Sequence, residues 1–365
     1  KVDRRALPEP ELQPELELSF VAPRTPIEEI LANIWALVLA IKQIGIYDNF
    51  FELGGHSLLA TQVISRIRDA FNVEVPIRSH FEAPTIAQLQ EYIQAALTSG
   101  QSKLAPPLVP IQRPAQIPLS FAQARLWFLD QLQSENAFYN IPLVLRLSGQ
   151  LNVAALEQSI NEIICRHESL RTNFTIKQGQ PFQIIATNLN LKLVVVDLEN
   201  LPACEQEIET QRLVNQLAVQ HFDLEQEALL RANVLKLSPN ENVFVLVLHH
   251  IIADGWSLGV LERELATCYE AFCNGLTLVL PELPLQYADF ALWQRNWLTG
   301  EVLQTQLNYW QQQLKGIPTL LQLPADRPRP AIQSYRGAQK SIPLSFQLSE
   351  ELVLLSKRMG VTLFM

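Results

Sequence analysis

A proline-rich stretch divides this sequence into two parts with different hydrophobic patterns. Residues 99–115 include Pro106, Pro107, Pro110 and Pro114. Repeated proline favours an extended, semi-stiff backbone, so these residues are predicted to form a linker. Before the linker, apolar residues recur at helical spacing, whereas strand-like and helix-like patterns alternate after it. Because 365 residues also exceed one typical domain, we predict two or three domains.

Two segments before the linker begin with helix-capping sequences. Thr25-Pro26-Ile27-Glu28 combines a capping box with proline at the first helical position, and predicts a helix that continues to about Ile41. The residues predicted to lie on its buried face are Ile30, Ile34, Leu37 and Ile41. Thr85 begins a later helix in the same way. The residues predicted to lie on the buried face of this later helix are Ile86, Leu89 and Ile93.

A glycine pair places Ser57 at or beside the start of a third predicted helix. Gly54 and Gly55 interrupt regular structure, and apolar residues at helical spacing follow Ser57. Unpaired backbone N–H groups and the positive end of the helix dipole lie at such a start, which suits a group that carries a phosphodiester. An ordinary N-cap serine after a glycine turn has the same local pattern. The sequence lacks the second glycine of G-x-S-x-G, which argues against a hydrolase nucleophile.

The longer sequence around Ser57 is similar to a known family. It runs from Gly45-Ile46-Tyr47-Asp48-Asn49-Phe50 through Leu53-Gly54-Gly55-His56-Ser57-Leu58 to Phe81-Glu82-Ala83-Pro84-Thr85. Over about residues 23–98 it resembles the peptidyl carrier domain of nonribosomal peptide synthetases. The resemblance implies a small all-α, four-helix bundle. It also implies that a phosphopantetheinyl transferase attaches 4′-phosphopantetheine covalently to Ser57. Residues 1–22 resemble the end of an adenylation domain and would be its tail and linker.

After the linker, a nearly unbroken apolar run ends in two histidines. Val243 to His249 predicts a strand buried on both faces, and His250-Ile251-Ile252-Ala253-Asp254-Gly255 follows. Because side chains alternate along a strand, His249 and His250 are expected to face opposite ways. Asp254 can cap the next helix or pair with a cation, and the Gly255 N–H can point at developing negative charge. A structural histidine pair is the alternative, and a metal site is disfavoured because no third ligand stands at metal spacing.

The block H-H-x-x-x-D-G resembles the active-site motif shared by condensation domains, epimerisation domains and chloramphenicol-acetyltransferase-like enzymes. Further motifs follow the condensation-domain order, and they are Ser120–Leu129, Arg166–Phe174, Phe222–Leu224 and Tyr287–Trp293. The resemblance covers residues 116–365 and implies an α/β, two-layer lobe followed by an incomplete second lobe. It implies that His250 is the central catalytic residue, with His249, Asp254 and Gly255 beside it. The sequence leaves open whether His250 is a general base, an orienter of the amine or a hydrogen-bond donor to the tetrahedral intermediate. Arg171 would give structural support by pairing with Asp254.

Together, the two resemblances imply part of a nonribosomal peptide synthetase. The carrier would hold an aminoacyl or peptidyl thioester, and the condensation domain would join it to an amine on a downstream carrier. The implied partners are the phosphopantetheinyl transferase, the upstream adenylation domain, and the downstream adenylation and carrier domains. The alternatives are a docking module with a non-functional condensation domain, an epimerisation-type enzyme, and an acyltransferase that uses coenzyme A. Epimerisation is disfavoured because those domains usually read D-x-V-S-W, whereas this chain reads Asp254-Gly255-Trp256-Ser257-Leu258.

Composition disfavours several other classes. The net charge of −9, without a basic run, argues against a nucleic-acid or anionic-membrane partner. The apolar run Ile30 to Ile41 is shorter than the about 20 residues that a membrane helix needs, and no signal peptide is visible. Four scattered cysteines indicate neither a disulfide framework nor a zinc site, so a cytoplasmic location is expected. Both ends look internal, which suggests a piece of a larger polypeptide.

Overall fold

The computed structural model describes residues 20–99, 105–132, 137–329 and 342–359, with residues 340 and 363. The chain divides into two compact units, of which the first comprises Lys1–Ala105 with Gly337–Met365 and the second comprises Pro106–Arg336. Residues 105–116 form no helix or strand, as their proline content predicts. Most of the predicted adenylation tail lies outside the described residues.

Four helices form the described part of the first unit up to residue 99. They are α1 (Pro26–Leu39), α2 (Ser57–Phe71), α3 (Ile77–Glu82) and α4 (Ile86–Ser99). The expected small helical bundle is therefore confirmed. Ile86, Leu89 and Ile93 of α4 are fully buried, as predicted. Val63 and Ile67 of α2 pack against them in one apolar core.

The predicted buried face of α1 is wrong in part. Leu31, Ile34 and Trp35 are buried, whereas Ile30 is 38% exposed and Leu37 is 70% exposed. The reason is the indole of Trp35, which lies edge-to-face on the ring of Phe50 with 4.9 Å between ring centroids. Burying this large ring turns the helix away from the stripe that the isoleucines suggest. The helix also ends at Leu39 rather than Ile41, because Ala40 adopts a left-handed C-cap conformation with φ of 56°.

The second unit contains two sheets and most of the longer helices. Its strands are β1 (Ile117–Pro118), β2 (Asn140–Ser148), β3 (Thr172–Lys177), β4 (Gln180–Ile185), β5 (Val194–Asp197), β6 (Leu230–Ser238) and β7 (Glu241–His249). Its helices are α5 (Phe121–Leu132), α6 (Val153–Arg166), α7 (Ala203–Ala218), α8 (Gly255–Cys273), α9 (Tyr287–Trp297) and α10 (Gly300–Gln313). The larger sheet has the order β2-β7-β6-β5, and the smaller has the order β1-β4-β3. A last helix, α11, spans Phe346–Arg358.

Strand β7 lies at the centre of the second unit's core. It pairs antiparallel with both β2 and β6, and every residue from Asn242 to His249 is buried. Apolar side chains of α6 and α8, such as Ile163 and Leu265, pack in the same core. The prediction of a strand buried on both faces is therefore confirmed.

His249 is the buried polar end of β7. Its imidazole is 3% exposed and lies against the rings of Phe222 and Tyr139, with centroids 6.2 and 6.3 Å away. Nδ1 accepts a hydrogen bond from the Ile251 N–H at 3.2 Å. Burial, with smaller effects of His250 and His221, lowers the pKa of His249 from 6.5 to about 4. The ring is therefore neutral at physiological pH.

We predict that replacing Gly55 by alanine destabilises the first unit. A Cβ atom there would lie 2.3 Å from the Phe50 ring and 2.5 Å from the Phe50 carbonyl oxygen. Because Phe50 is fully buried, relief requires a backbone shift, and we expect a loss of about 1–3 kcal/mol in unfolding free energy. Hydrogen exchange of the α2 amides measures this loss in unfolding free energy. Gly259→Ala in α8, where the nearest atom is 3.7 Å away, is the control, and equal protection in the two variants would contradict the prediction.

We predict that His249 makes the second unit acid-sensitive. Because its folded pKa is lowered, its neutral form stabilises the fold fully above pH 6.5, and this contribution is lost as the pH falls towards 4. Relative to His249→Gln, the wild type should lose about 2–3 kcal/mol more unfolding free energy between about pH 7 and pH 4.5. Hydrogen exchange of the β7 amides measures the difference. Parallel pH profiles of the two proteins would show that His249 does not titrate with the predicted pKa.

Candidate functional site

Ser57 lies on the surface of the first unit, at the first position of α2. The preceding residue, His56, is the N-cap, and its Nδ1 accepts a hydrogen bond from the Leu59 N–H at 3.4 Å. The Thr61 hydroxyl donates to the Ser57 carbonyl at 3.0 Å. Two side-chain hydrogen bonds thus hold the first turn of α2. The sequence therefore placed Ser57 correctly at a helix N-terminus.

The loop before Ser57 is held close to the core of the first unit. Gly54 has a φ of +94°, which favours glycine, and Gly55 donates its N–H to the Phe50 carbonyl at 2.9 Å. Phe50 is in turn fixed by its own N–H, which donates to the Pro84 carbonyl at 2.8 Å. An exposed hydroxyl at a helix N-terminus on a fixed loop fits a covalently attached phosphodiester, because the helix dipole favours negative charge there.

The second candidate site is the turn that follows β7. His249 points into the core, whereas His250 is exposed, so the two rings face opposite ways as predicted. The His250 N–H donates to the Tyr139 carbonyl at 2.7 Å, and the Ile252 N–H donates to the His249 carbonyl at 3.1 Å. The backbone on both sides of His250 is thus fixed while its ring reaches the surface.

Asp254 fixes the start of α8 by capping it. Its carboxylate accepts from the Ser257 N–H at 2.9 Å and from the Ser257 hydroxyl at 2.7 Å. Partial burial alone would raise the pKa of Asp254, but the hydrogen bonds from Ser257, with a contribution from His250, lower it below its usual value. The capping role is one of the two that the sequence allowed for this residue.

Gly255 is not required by backbone geometry or packing. Its φ lies outside the left-handed region, and a Cβ atom built on it would meet no atom within 4 Å. The shape of the turn therefore does not depend on Gly255, because capping by Asp254 already fixes it. The position borders open space.

The expected ion pair between Arg171 and Asp254 is not formed. Arg171 instead lies 3.8 Å from the Glu168 carboxylate and donates to the Ala186 carbonyl. The physical reason is local, because Glu168 and Arg171 belong to the same short 3-10 helix and face each other across one turn. Asp254 takes its hydrogen bonds from Ser257.

The sequence missed a polar network that joins three separate motifs. Arg113, which falls in the predicted linker, donates to both carboxylate oxygens of Asp289 at 3.0 and 3.1 Å and also contacts Glu168. Ser120 and Tyr287 form a second link, with 3.0 Å between their hydroxyl oxygens. Both belong to the motifs noted above, but the sequence gave no sign that they meet. The later part of the predicted linker therefore packs within the second unit.

Two structural features are absent from the part of the chain that the structure describes. No cluster of three His, Cys, Asp or Glu side chains there could hold a metal ion. No described helix is long and apolar enough to span a membrane.

Comparisons with known proteins match the two residue ranges in which the candidate sites lie. A family model described as a phosphopantetheine attachment site matches residues 29–93, which include Ser57. A model described as a condensation domain matches residues 114–365, which include the paired histidines. Among solved structures, the X-domain in complex with OxyB from teicoplanin biosynthesis is similar, with a TM-score of 0.59 and 32% identity over 72% of this chain and 57% of that chain.

Curated relatives match the whole chain. Linear gramicidin synthase subunits D and C from Brevibacillus parabrevis are 50% and 51% identical over all of this chain, which covers 7% and 5% of their lengths. The dimodular nonribosomal peptide synthase from Bacillus subtilis (strain 168) is 41% identical, and the chain covers 15% of its length. The chain thus belongs to the condensation-domain family, with a phosphopantetheine attachment domain before the condensation domain, as in nonribosomal peptide synthetases.

Proposed function

We propose that this chain forms amide bonds during nonribosomal peptide synthesis. The carrier, residues 23–98, would hold an aminoacyl or peptidyl group as a thioester. The condensation domain, residues 116–365, would join that group to an amine held by a downstream carrier. The observation that supports this proposal best is the exposed His250, fixed at the end of a buried strand with open space at Gly255 beside it.

In the carrier, we assign the attachment of 4′-phosphopantetheine to Ser57. When bound, this group supplies a thiol that carries the acyl chain. Ser57 offers its hydroxyl at the surface, and the first-turn amides of α2 favour the negative phosphate. Gly55 and Phe50 hold the loop in place, which keeps this hydroxyl available to the transferase.

In the condensation domain, orientation contributes more than proton removal. A free α-amino group has a pKa of about 7.7–8.0, so roughly a tenth is unprotonated at neutral pH, and the cost of losing the proton is only about 1 kcal/mol. Holding two reactants in line can contribute about 7–11 kcal/mol. His250 is exposed on a rigid backbone, so it can orient the acceptor amine and take its proton. We therefore assign His250 the central catalytic role.

The other residues of the motif support His250. His249 stays neutral in the core and anchors the strand end. Asp254, whose pKa is lowered by its bonds to Ser257, keeps its negative charge near His250 at neutral pH and fixes the helix start. Gly255 leaves room for the acyl group and places a backbone N–H beside it. Arg171 supports the fold through Glu168 rather than through Asp254.

The partners we propose are a phosphopantetheinyl transferase and neighbouring adenylation and carrier domains. Leu58, Ile77 and Phe81 of the first unit remain 43–45% exposed, which supports weak docking of several partners. We also propose a cytoplasmic location, because all four cysteines are unpaired and the transferase reaction uses coenzyme A.

A docking role for the condensation domain is the second candidate. It is favoured by the similarity to the X-domain, which was solved in complex with OxyB. Against it stands the motif itself, because a surface used only for docking gives no reason to hold His250 exposed on a fixed backbone beside open space. The two functions differ in whether removal of the imidazole stops synthesis.

We predict that Ser57→Ala abolishes attachment of the arm. With coenzyme A and a broad-specificity phosphopantetheinyl transferase, the wild-type chain should gain the mass of one phosphopantetheine, located on the Ser57 peptide. The variant should gain none, because it lacks the nucleophilic oxygen. Ser65→Ala, an exposed serine on the same helix, should be modified like the wild type. A Ser57→Ala protein that still gained this mass would refute the assignment.

We predict that His250→Ala in the intact synthetase lowers the rate of amide formation by at least about 100-fold, the usual effect of losing a positioned acid or base. Loading of Ser57 should be unchanged, because Ser57 and His250 belong to different compact units. The rate at which the product is released, followed by mass spectrometry, measures the effect. Asn240→Ala, an exposed change in the turn at the other end of β7, is the control. An unchanged rate for His250→Ala would favour the docking role.

A further inference from the structure

The described part of the predicted linker is fastened to helix α9 by two contacts. In the outer contact, the Trp293 indole N–H donates to the Pro106 carbonyl at 2.7 Å. In the inner contact, Arg113 donates to both carboxylate oxygens of Asp289 at 3.0 and 3.1 Å. Trp293 and Asp289 are four residues apart on α9, so they share one face of the helix. The linker therefore follows that face from Pro106 to Arg113.

The inner contact is the stronger of the two. Asp289 is 3% exposed, and Arg113 also contacts the Glu168 carboxylate. Burial alone would raise the pKa of Asp289, but its hydrogen bonds, of which that from Arg113 has the largest effect, lower it below its usual value. The carboxylate is therefore charged at neutral pH. Charge-assisted hydrogen bonds of this kind are short and strong, and the paired geometry fixes the guanidinium.

The outer contact is a single hydrogen bond between neutral groups. Such a bond is roughly half as strong as a charge-assisted one. The Trp293 ring is fixed by contacts with its neighbours on α9, Phe290 and Trp297, whose ring centroids lie 5.8 and 4.9 Å away. Aromatic faces bind extended proline-rich segments well, because that backbone loses little conformational freedom on binding. The outer contact is therefore specific but weak, and it opens before the inner contact.

The two contacts set the length of chain between α4 and the second unit. Helix α4 ends at Ser99, seven residues before Pro106 and fourteen before Arg113. A fully extended chain spans at most about 25 Å over seven residues and about 50 Å over fourteen. Opening the outer contact thus doubles the longest distance that the chain allows between α4 and its attachment to α9.

We propose that α9 is a clasp for the linker that limits how far the first unit, with Ser57, can travel from the condensation domain. The closed clasp raises the effective concentration of Ser57 at that domain, and the open clasp gives the first unit access to more distant partners. Effective concentration falls roughly as the −3/2 power of linker length, so doubling the length lowers it about threefold. The consequence for acyl transfer rests on the proposed function, whereas the clasp rests on contacts within the second unit.

The test compares Trp293→Phe/Arg113→Gln with the parent chain. Trp293→Phe keeps an aromatic ring on α9 but removes the N–H donor, and Arg113→Gln opens the inner contact from the linker side. Spin labels on Ser65→Cys of α2 and on the native Cys204 of α7 report the distance between the two units. Both positions are exposed, and the other two exposed cysteines are replaced by serine in every protein.

We expect double electron–electron resonance to show a wider distance distribution in the double variant. Its upper end should move outward by about 10–20 Å, because more chain separates α4 from its attachment. Trp293→Phe alone should give part of this shift. Trp310→Phe, which replaces an exposed tryptophan of α10, is the matched control and should leave the distribution unchanged. Identical distributions in the double variant and the parent chain would overturn the inference.

Hydrogen exchange of the β7 amides separates release of the linker from damage to the second unit. A wider distribution with unchanged β7 protection supports the clasp. A wider distribution seen only in variants whose β7 protection falls would make both contacts structural and overturn the inference. Trp293→Phe keeps this comparison decisive even if Arg113→Gln disturbs the fold, because it leaves the Asp289 and Glu168 contacts intact.

Single-turnover acyl transfer from Ser57 in the intact synthetase distinguishes this inference from the proposed function. Transfer should be about threefold slower in the double variant than in the wild type, through the lower effective concentration. If the wild type transfers no acyl group while the double variant still has the wider distribution, the proposed function fails and the clasp stands. If transfer depends on His250 but the distributions are identical, only the clasp fails.

Discussion

The buried end of β7 is the constraint on which the proposed condensation site depends. Because β7 is paired on both sides and buried on both faces, its last residues cannot move without disturbing the core. His249 completes that core as a neutral ring, and its amide pairs with the Leu229 carbonyl at 3.0 Å. Strand alternation then places His250 on the other side, at the surface. Four residues after His250, Asp254 caps α8 and so fixes the other end of this turn.

The carrier uses the same physical principle with different residues. There, the buried Phe50 holds the loop, and Gly55 is required because no side chain fits against that ring. Ser57 follows as an exposed residue at a helix start. In each unit, the proposed functional group lies at the surface, directly next to a segment that has no room to shift. Such pre-organisation lowers the cost of positioning a reactant or a modifying enzyme.

Sequence reasoning succeeded where the pattern is local. Helix starts at Pro26, Ser57 and Ile86 and the burial of β7 all follow from residues close in sequence. It did not identify the helix at Phe121–Leu132 or the β3–β4 hairpin, whose apolar residues show weaker periodicity. The α1 face was misjudged because the packing of an aromatic pair, not spacing, decides it.

The candidate sites show the same difference between local features, which the sequence predicts, and long-range contacts, which it does not. The structural positions of Ser57, His249, His250 and Asp254 could be predicted from the sequence, because each follows from a capping or alternation rule. Contacts that depend on how the elements pack together could not be predicted in this way. The partner of Arg171 is Glu168 rather than Asp254, and the Ser120–Tyr287 pair joins residues far apart in the chain. Long-range contacts depend on how helices and sheets pack, and a single sequence carries no direct signal of that packing.

The central claim is that an acyl group carried at Ser57 is transferred at the His250 site. The most direct test loads Ser57 of the intact synthetase with an acyl-pantetheine arm, adds the loaded downstream acceptor, and follows the mass of the Ser57 peptide through a single turnover. The account predicts that the acyl mass leaves this peptide and appears on the acceptor as an amide, and that both changes stop in His250→Ala. Retention of the acyl group at Ser57 in the wild type, or equal transfer in the variant, would contradict it.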